Sequence, residues 1–392
     1  MFTSDSKFKQ WLVDVRRDLH MHPEISFQEK RTTLKISEML EGFGLEVQKF
    51  RDMTGVLGLI RGSGAGPTIA LRADIDALPI QELNDIEYRS KTDRMMHACG
   101  HDANTTIMLG AAKILTESKM TSKLNGCVKF FFQPAEERVA GAKAMIARGV
   151  LDNPTVDRII AGHMSPDLPV GSVGVFRDIG YASSDRFELT IKGKGSHGAR
   201  PEEGIDPIVA GSYFVTQLQS ILSRNIKPTE AGVITVGKFT SGDAPNVIPE
   251  FAHLEGSIRA LSPDIRSQLI QRLGSIVAGL EESFNVACDF HVQEGVPVLV
   301  NDREVAEFLY QTSADVLGPD KVSYLPPIMG SEDFSYFTLE RPSAIMRLGC
   351  SNSDKGLTRS LHSPYFDIDE AVLEIGVTIF SEAVKKFLKV AP

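Results

Sequence analysis

A cysteine and a histidine two residues apart are the first side chains of this sequence that could bind a metal ion together. Cys99 and His101 lie in the stretch MHACGHD (96–102). In an extended backbone, residues i and i+2 face the same side. Thiolate and imidazole are ligands of zinc and of its divalent neighbours. Because two such residues often lie together by chance, the pair predicts a metal site only if further ligands come from elsewhere in the chain.

Two adjacent carboxylates follow an apolar run that predicts a central strand. The run 126–134 is almost continuously apolar, as in a strand buried on both faces, and it leads into Glu136 and Glu137. Consecutive residues of an extended chain point in opposite directions. One glutamate could therefore bind a metal while the other acts on what the metal activates. A surface charge pair is the alternative interpretation.

Two histidines add to the set of candidate ligands. The run 156–163 predicts a second buried strand, which ends in His163, and His362 lies in a short polar loop at 361–366. A single histidine at a strand end is usually a hydrogen-bonded polar group. His163 and the glutamate pair, however, both follow predicted strands of the same α/β pattern, which favours one metal site to which they all contribute.

Two aspartates, Asp74 and Asp76, follow a further predicted strand. The runs 54–61 and 68–74 predict two strands, and the glycine-rich segment between them predicts a hairpin turn. Ligands of open α/β sheets bind at the carboxyl ends of the strands. Solvated loop acids are the alternative interpretation of these two residues.

The number of candidate ligands decides between kinds of metal site. Five or more exceed the four ligands of a tetrahedral structural zinc. A two-metal centre accommodates them, and such a centre acidifies a water molecule that attacks a polarised carbonyl. The candidates are Cys99, His101, Glu136 or Glu137, His163 and His362.

The predicted elements form two patterns along the chain. Strands alternate with helices outside 183–295, which indicates an α/β domain, and residues 183–295 give the order β-α-β-β-α-β of a ferredoxin-like α+β domain. We expect domains 1–182 with 296–392, and 183–295. The predicted helices lie at 5–20, 28–43, 103–117 (with Asp102 as N-cap), 140–149, 207–223, 263–283, 303–316 and 369–389.

Composition excludes several function classes. The 392 residues are 42% hydrophobic and 24% charged, with a net charge of −9, which argues against a nucleic-acid or anionic-membrane surface. The first residues lack the apolar segment of a signal peptide, and no apolar run approaches the ~18 residues of a membrane span. Four cysteines lie far apart without a CxxC spacing. We therefore expect a cytoplasmic protein with free thiols.

Eight motifs, in order over nearly the whole chain, carry a resemblance to a known family. They are RADIDALP (72–79), MHACGHD (96–102), QPAEE (133–137), the His163 strand, GKGSHGARP (193–201), APNVIPE (244–250), MGSEDF (329–334) and LHSPYF (361–366). The chain resembles the dinuclear metallohydrolases that include aminoacylases and related exopeptidases. It is most similar to the N-acyl-amino-acid amidohydrolase branch, which includes hippurate hydrolases and auxin-conjugate hydrolases.

The resemblance implies roles for the residues of the predicted α/β domain. Glu136 would be the general base, taking a proton from the attacking water and passing it to the leaving nitrogen. Asp76 would orient a histidine ligand, and the Cys99 thiolate would bridge the ions. The implied ligands of two divalent ions (zinc, manganese, nickel or cobalt) are Cys99, His101, Glu137, His163 and His362.

The resemblance also implies a catalytic α/β/α domain with a mixed central sheet, and a lid and dimerisation role for the inserted domain. His197 would stabilise the oxyanion, often at the partner subunit's site, and Asn246 and Arg259 would hold the substrate's carboxylate. The implied assembly is a homodimer through the lid domain, or a homotetramer. The expected substrate is a small N-acyl amino acid or peptide, with no nucleic acid or membrane partner.

The implied reaction is metal-dependent hydrolysis of the amide of an N-acyl amino acid. A dipeptidase or carboxypeptidase using the same centre is the alternative. A catalytically inactive binding protein is a third reading, but the intact Glu136–Glu137 pair argues against it. The chain departs from the branch at Asn104 and Glu202, where histidines are common. These departures leave the preferred acyl group open.

Overall fold

A mixed sheet of eight strands organises the larger part of this computed structural model, which describes residues 6–117 and 120–389. In chain order the strands are β1 (Glu46–Lys49), β2 (Val56–Arg61), β3 (Gly64–Asp74), β4 (Asn125–Gln133), β5 (Arg158–Pro169), β6 (Val173–Phe176), β7 (Ile179–Tyr181), β8 (Ser184–Lys192), β9 (Ser196–His197), β10 (Gly232–Ser241), β11 (Val247–Ile248), β12 (Phe251–Ala260), β13 (Ala287–Val296), β14 (Leu299–Val300), β15 (Val322–Leu325) and β16 (Ser343–Ser351).

Helices precede, separate and follow these strands along the chain. They are α1 (Ser6–Met21), α2 (Lys30–Gly42), α3 (His101–Glu117), α4 (Gly141–Ile146), α5 (Pro207–Ser220), α6 (Pro263–Phe284), α7 (Arg303–Leu317), α8 (Ser335–Glu340) and α9 (Ala371–Phe387). Residue 5, which the predicted first helix included, lies outside the described residues. Within the described ranges, no helix has the length and apolar character needed to cross a membrane.

The chain divides into two units by the density of its contacts. The first unit comprises Met1–Gly180, Val300–Pro326 and Tyr336–Pro392, and the second comprises Tyr181–Leu299 and Pro327–Ser335. Each unit has its own buried apolar cluster.

The first unit contains the eight-stranded sheet in the order β1-β2-β4-β3-β5-β16-β6-β15. Strands β4, β3, β5 and β16 are parallel to one another, whereas β2 pairs antiparallel to β4 and β6 pairs antiparallel to β16. Phe130 and Phe132 of β4 belong to the cluster that α1, α3 and α9 cover, and Phe131 stacks on Phe337. Because neighbouring side chains of a strand face opposite sides, β4 is buried on both faces. The predicted mixed α/β architecture is therefore confirmed.

The predicted hairpin between β2 and β3 is wrong. β4 lies between these two strands, so they are not neighbours in the sheet. The glycine-rich connection bonds to the start of β4 instead, with Gly62 N donating to Gly126 O at 2.9 Å. A Cβ at Gly62 would lie 2.2 Å from Leu124 O. The glycines therefore permit a close approach to a third strand rather than a tight reversal.

The predicted N-cap of α3 is also wrong. α3 begins at His101, and the amides of Ala103 and Asn104 bond to Gly100 O. The carboxylate of Asp102 instead accepts from Arg16 Nε at 2.9 Å, and it lies 2.7 Å from Nδ1 of His20. The carboxylate of Asp102, which the sequence pattern assigned to the N-cap of α3, therefore pairs with the buried Arg16 of α1.

The second unit has the predicted order of elements. Its sheet runs β10-β12-β8-β13 with antiparallel pairs, and this is the ferredoxin-like arrangement in which the first strand lies beside the third and the fourth. The sheet packs against α5 and α6 through an apolar cluster that includes Phe187, Phe214 and Leu273. Asp206 caps α5 by accepting from the amides of the first turn.

Candidate metal centre

The predicted ligands Cys99, His101 and His163 meet in the first unit. One ligand atom from each lies within 4.8 Å of the others. Cys99 Sγ is 3.5 Å from His163 Nε2, and the two imidazole rings lie edge to face with their centroids 5.5 Å apart. All three side chains are buried, so their separation is set by the packing of β5 and of the segment that leads into α3.

Backbone carbonyls orient both imidazoles. Nδ1 of His101 donates to Asp76 O at 2.9 Å, and Nδ1 of His163 donates to Met164 O at 2.9 Å. Since a carbonyl only accepts, Nδ1 of each ring carries a hydrogen, and in the neutral form of either ring the lone pair is left on Nε2. Nε2 of His101 has no hydrogen-bond partner among the described residues. This is the tautomer that a histidine ligand requires.

Glu137 and His362 extend the cluster. Cys99, Glu137 and His362 place one ligand atom each within 4.8 Å of the others, and His101, Glu136 and Glu137 do the same. His362 Nε2 is 3.5 Å from Glu137 Oε1, and the amide of His362 bonds to Ala98 O at 2.8 Å. The structure thus brings together the five predicted ligands and the predicted base.

The predicted end of the strand at His163 is wrong, because β5 continues to Pro169 beside β16. The other neighbour, β3, pairs with β5 from Arg158 to Ala161. His163 lies just beyond this pairing, so one edge of its strand is open toward the cluster. β5 thus stays paired with β16 along one edge while its pairing with β3 has stopped, so His163 can be a ligand without lying at the end of a strand.

Asp76 supports both the histidine and the glutamate pair. Its Oδ1 accepts from the amide of Glu136 and its Oδ2 from the amide of Glu137, both at 3.1 Å. Oδ2 also accepts from Ser26 Oγ at 2.6 Å, and Oδ1 lies 3.4 Å from His101 Nδ1. One carboxylate therefore fixes the backbone that carries Glu136 and Glu137.

Asp74 is buried and hydrogen-bonded, so it is not a solvated loop acid. It accepts from Arg72 Nη1 and from Asn104 Nδ2, each at 2.8 Å, and lies 3.8 Å from His101 Nε2. Burial alone would raise the pKa of Asp74. The charges of His101 and Arg72 outweigh burial and lower this pKa to about 2. Asp74 is thus a fixed negative charge beside the cluster.

Burial sets the protonation of the sulfur and of one imidazole. It raises the pKa of the Cys99 thiol to about 12, with the charge of Glu137 acting in the same direction, and it lowers the pKa of His163 to about 3. Burial would also lower the pKa of His101, but Asp74 and Cys99 raise it well above its usual value. Burial thus favours the neutral thiol of Cys99, and the charge of a bound cation would favour the thiolate.

The cluster fits divalent cations. His101 Nε2 and Glu137 Oε1 are buried and lack hydrogen-bond partners among the described residues, and both belong to the groups of converging ligand atoms. Buried polar atoms without partners are rare in native proteins. Sulfur, imidazole and carboxylate are the donor types of zinc and related ions.

The second unit carries the three remaining predicted residues. His197 and Asn246 lie on neighbouring segments, because β9 pairs with β11 and Gly198 N bonds to Asn246 O at 2.8 Å. His197 helps to line a groove of about 980 Å³ in this unit. Arg259 lies on a different strand, β12, and its Nη1 donates to Met329 O at 3.2 Å.

Two supporting residues were missed in the sequence. Ser26 bonds to Asp76, and the buried carboxylate of Glu29 accepts from the amide of Ala135 at 2.9 Å. Glu29 directly precedes α2, a position where acidic residues commonly stabilise the helix N-terminus. No feature of the sequence distinguishes Glu29 from such a residue.

A sheet with converging cysteine, histidine and glutamate side chains defines a candidate dinuclear metallohydrolase. The sequence profile of peptidase family M20/M25/M40 matches residues 70–386. The chain belongs to this family.

Named relatives cover almost the whole chain. It is 38% identical over 380 residues to N-acetylcysteine deacetylase of Bacillus subtilis, a match that covers 97% of each protein. It is 38% identical over 385 residues to IAA-amino acid hydrolase ILR1-like 4 of Arabidopsis thaliana, covering 97% of this chain and 86% of the relative. The crystal structure of the Bacillus subtilis YXEP protein, described as a dinuclear metal binding peptidase, matches with a TM-score of 0.86 at 34% identity, covering 99% of this chain and 100% of that one.

Proposed function

We propose that the protein hydrolyses the amide bond of N-acyl amino acids, releasing a carboxylate and a free amino acid. The observation that carries the proposal is the convergence of five metal-type ligands beside Glu136. The names of two relatives, an N-acetylcysteine deacetylase and an IAA-amino acid hydrolase, support this substrate class.

The residues that would hold two divalent ions are those of the cluster. Their mixture of sulfur, nitrogen and oxygen suits zinc, manganese, nickel or cobalt. When bound, the ions supply positive charge that polarises an amide carbonyl and acidifies a water molecule. The proposed ligands are Cys99, His101, Glu137, His163 and His362.

Glu136 is the proposed general base. Its side chain is buried and lies among the ligands, while its amide is fixed by Asp76. It takes a proton from the attacking water as the carbon–oxygen bond forms. It then returns the proton to the amide nitrogen as the carbon–nitrogen bond breaks, so no proton is gained or lost.

His197, Asn246 and Arg259 are proposed to act on the substrate. Ala199 N donates to Nδ1 of His197 at 3.0 Å, so the neutral ring carries its hydrogen on Nε2 and can donate it to an oxyanion. The guanidinium of Arg259 can bind a carboxylate through two parallel hydrogen bonds. Asn246 directly precedes β11, whose Val247 pairs with His197, and both residues are proposed to contact one ligand.

The second unit is also the proposed dimerisation surface, and residues 183–295 the proposed lid domain. β10 is an edge strand of its sheet and carries the exposed Phe239, whose ring lies over Gly211 of α5. Ile208 and Tyr213 of α5 are exposed as well. Exposed sheet edges and apolar patches commonly mark protein interfaces. We propose a homodimer. All four cysteines are free thiols, in line with the proposed cytoplasmic location.

Replacement of Glu136 tests the reaction. Glu136→Gln removes the base but keeps the size of the side chain, so we expect kcat to fall by about 10²–10⁴-fold with metal content unchanged. Metal analysis and initial rates on N-acetyl amino acids measure the two effects. Glu87→Gln, an exposed change in the same unit, is the control. An active Glu136→Gln enzyme with full metal content would exclude this base.

A substrate panel tests the class of amide. N-acetyl, N-benzoyl and longer N-acyl amino acids are compared with dipeptides, with each candidate metal added in turn. We expect kcat/KM to be highest for an N-acyl amino acid. Turnover of dipeptides alone would instead support the dipeptidase alternative.

A further inference from the structure

The turn that carries Glu136 and Glu137 is held by two carboxylates from other parts of the first unit. Three consecutive amides point at them: Ala135 N donates to Glu29 Oε1 at 2.9 Å, and the next two amides donate to Asp76. Asp76 was expected to have a supporting role. Glu29 has none in the reaction proposed above.

Ala135 has a left-handed backbone, with φ of +54°. A residue other than glycine, asparagine or aspartate seldom adopts this conformation unless its surroundings impose it. Glu136 follows Ala135 directly, so the Ala135 dihedrals set the direction in which the Glu136 side chain leaves the strand. The acceptor for the Ala135 amide is therefore part of what fixes Glu136.

The surroundings of the turn are tightly packed. A Cβ at Gly55 would lie 2.7 Å from Cδ of Pro134, and one at Gly141 would lie 1.6 Å from Pro134 O. The amides of Ala140 and Gly141 both bond to Ala135 O. Packing thus restrains Pro134, two backbone hydrogen bonds hold the carbonyl of Ala135, and Glu29 holds its amide.

Glu29 is costly to keep at this place. Its side chain is fully buried, and its second oxygen accepts from Thr54 Oγ1. Burial raises the pKa of Glu29 to about 6 although the Thr54 hydrogen bond lowers it, and the charge of Asp76 raises it further. An acid that only stabilised the N-terminus of α2 would need neither burial nor a hydrogen bond to the turn that carries Glu136, and Glu29 has both.

We propose that Glu29 is a positioning residue for the base, which holds the Ala135 amide and thereby directs the Glu136 carboxylate into the metal centre. The inference rests on the proposed role of Glu136. A displacement of about 1 Å of a catalytic group can cost about 10²-fold in rate, even when the cause is a residue that never contacts substrate. Glu29 acts in this way through a single peptide unit.

Glu29→Ala and Glu29→Gln separate positioning from charge. Glu29→Ala leaves the Ala135 amide without its acceptor, and we expect kcat to fall by about 10–100-fold with KM within about threefold and metal content unchanged. In Glu29→Gln the amide oxygen can still accept from Ala135, and its NH₂ group can donate to Thr54 Oγ1. We expect this variant to keep kcat within about threefold of the parent.

Asp157→Ala is the matched control. Asp157 also accepts from a backbone amide, that of Thr68 at 2.7 Å, in the half of β3 remote from Asp74. We expect its kcat to equal the parent's. Thr54→Val removes the other bond to Glu29, and we expect an intermediate fall in kcat; it provides the test should Glu29→Ala not fold.

The outcomes distinguish the two proposals. Parental kcat in metal-loaded Glu29→Ala, or in Thr54→Val if the alanine variant does not fold, overturns the positioning role. So does a Glu29→Gln defect as large as that of Glu29→Ala. Glu136→Gln is assayed in parallel: if it is active, the base assignment fails, whereas an inactive Glu136→Gln beside a fully active Glu29→Ala overturns the positioning inference alone.

Discussion

The buried carboxylate of Glu29 makes stability depend on pH. Its pKa is raised from 4.5 to about 6 by burial, so between these values the folded chain binds a proton that the unfolded chain has lost. Stability therefore falls as pH rises through this window, and above it the cost of the ionised form is about 2 kcal/mol. Gln does not titrate. We expect Glu29→Gln to gain stability relative to the parent as pH rises from 4.5 to 7, as measured by urea unfolding.

Glu38 is an exposed glutamate on α2, so Glu38→Gln reports the loss of one negative charge without burial. A difference between Glu29→Gln and the parent that is the same at pH 4.5 and pH 7 would show that Glu29 does not titrate in this window. A gain in stability with little change in kcat would indicate that the hydrogen bonds, rather than the charge, are needed.

Residues that carry chemistry by type could be predicted from the sequence, and residues that act through others could not. Cys99, His163 and His362 are ligand types, and the structure brings them together. Glu29 and Ser26 are common residue types, and their roles depend on burial and on partners from distant segments. Neither burial nor those partners can be read from the local sequence.

Among the elements, α1 is joined to α3 by a buried cation. Arg16 has no exposed surface and donates to Asp102 at 2.9 Å and to Asp367 at 2.8 Å. Replacing it with Met would leave two acidic groups without this partner. Removing one member of a buried ion pair strongly destabilises the folded protein, because the remaining charge is buried without compensation. We expect Arg16→Met to lower the free energy of unfolding by about 3–5 kcal/mol, measured by urea denaturation.

The neighbouring residue is a suitable control. Arg17 on the same helix pairs with Glu370 but is 37% exposed, so Arg17→Met should cost no more than about 1 kcal/mol. Equal losses for the two variants would contradict the view that the buried cation, rather than any positive charge on α1, joins the helices. Because His101 begins α3 next to Asp102, metal affinity should be measured for both variants.

Element type was more predictable than element pairing. The apolar run at 126–134 correctly predicted a buried strand, and βαββαβ was the correct order for the second unit. The hairpin of β2 and β3 was wrong because β4, 51 residues after β3 (74 to 125), pairs with both. Local turn residues favour a hairpin, but sheet order is decided by long-range burial that no turn motif encodes.

For the whole molecule, a dimer provides two metal centres at which His197 of one chain can act: that of its own chain and that of its partner. The proposed dimer lets His197 of one protomer act at the metal centre of its partner, as the resemblance to the family implies. Heterodimers of two inactive variants decide this. Glu136→Gln keeps His197, and His197→Ala keeps Glu136, so a dimer of the two contains one complete site only if His197 acts across the interface.

Co-expression with two affinity tags isolates that heterodimer. With action across the interface, we expect about half of the parental kcat per dimer, because one of two sites is complete. With action inside one chain, both sites carry a defect and activity should not exceed that of the separate variants. A heterodimer of the parent and Glu136→Gln is the control, with about half the parental kcat in either case. Failure of the two tags to co-purify would exclude the dimer itself, since a monomer cannot carry both.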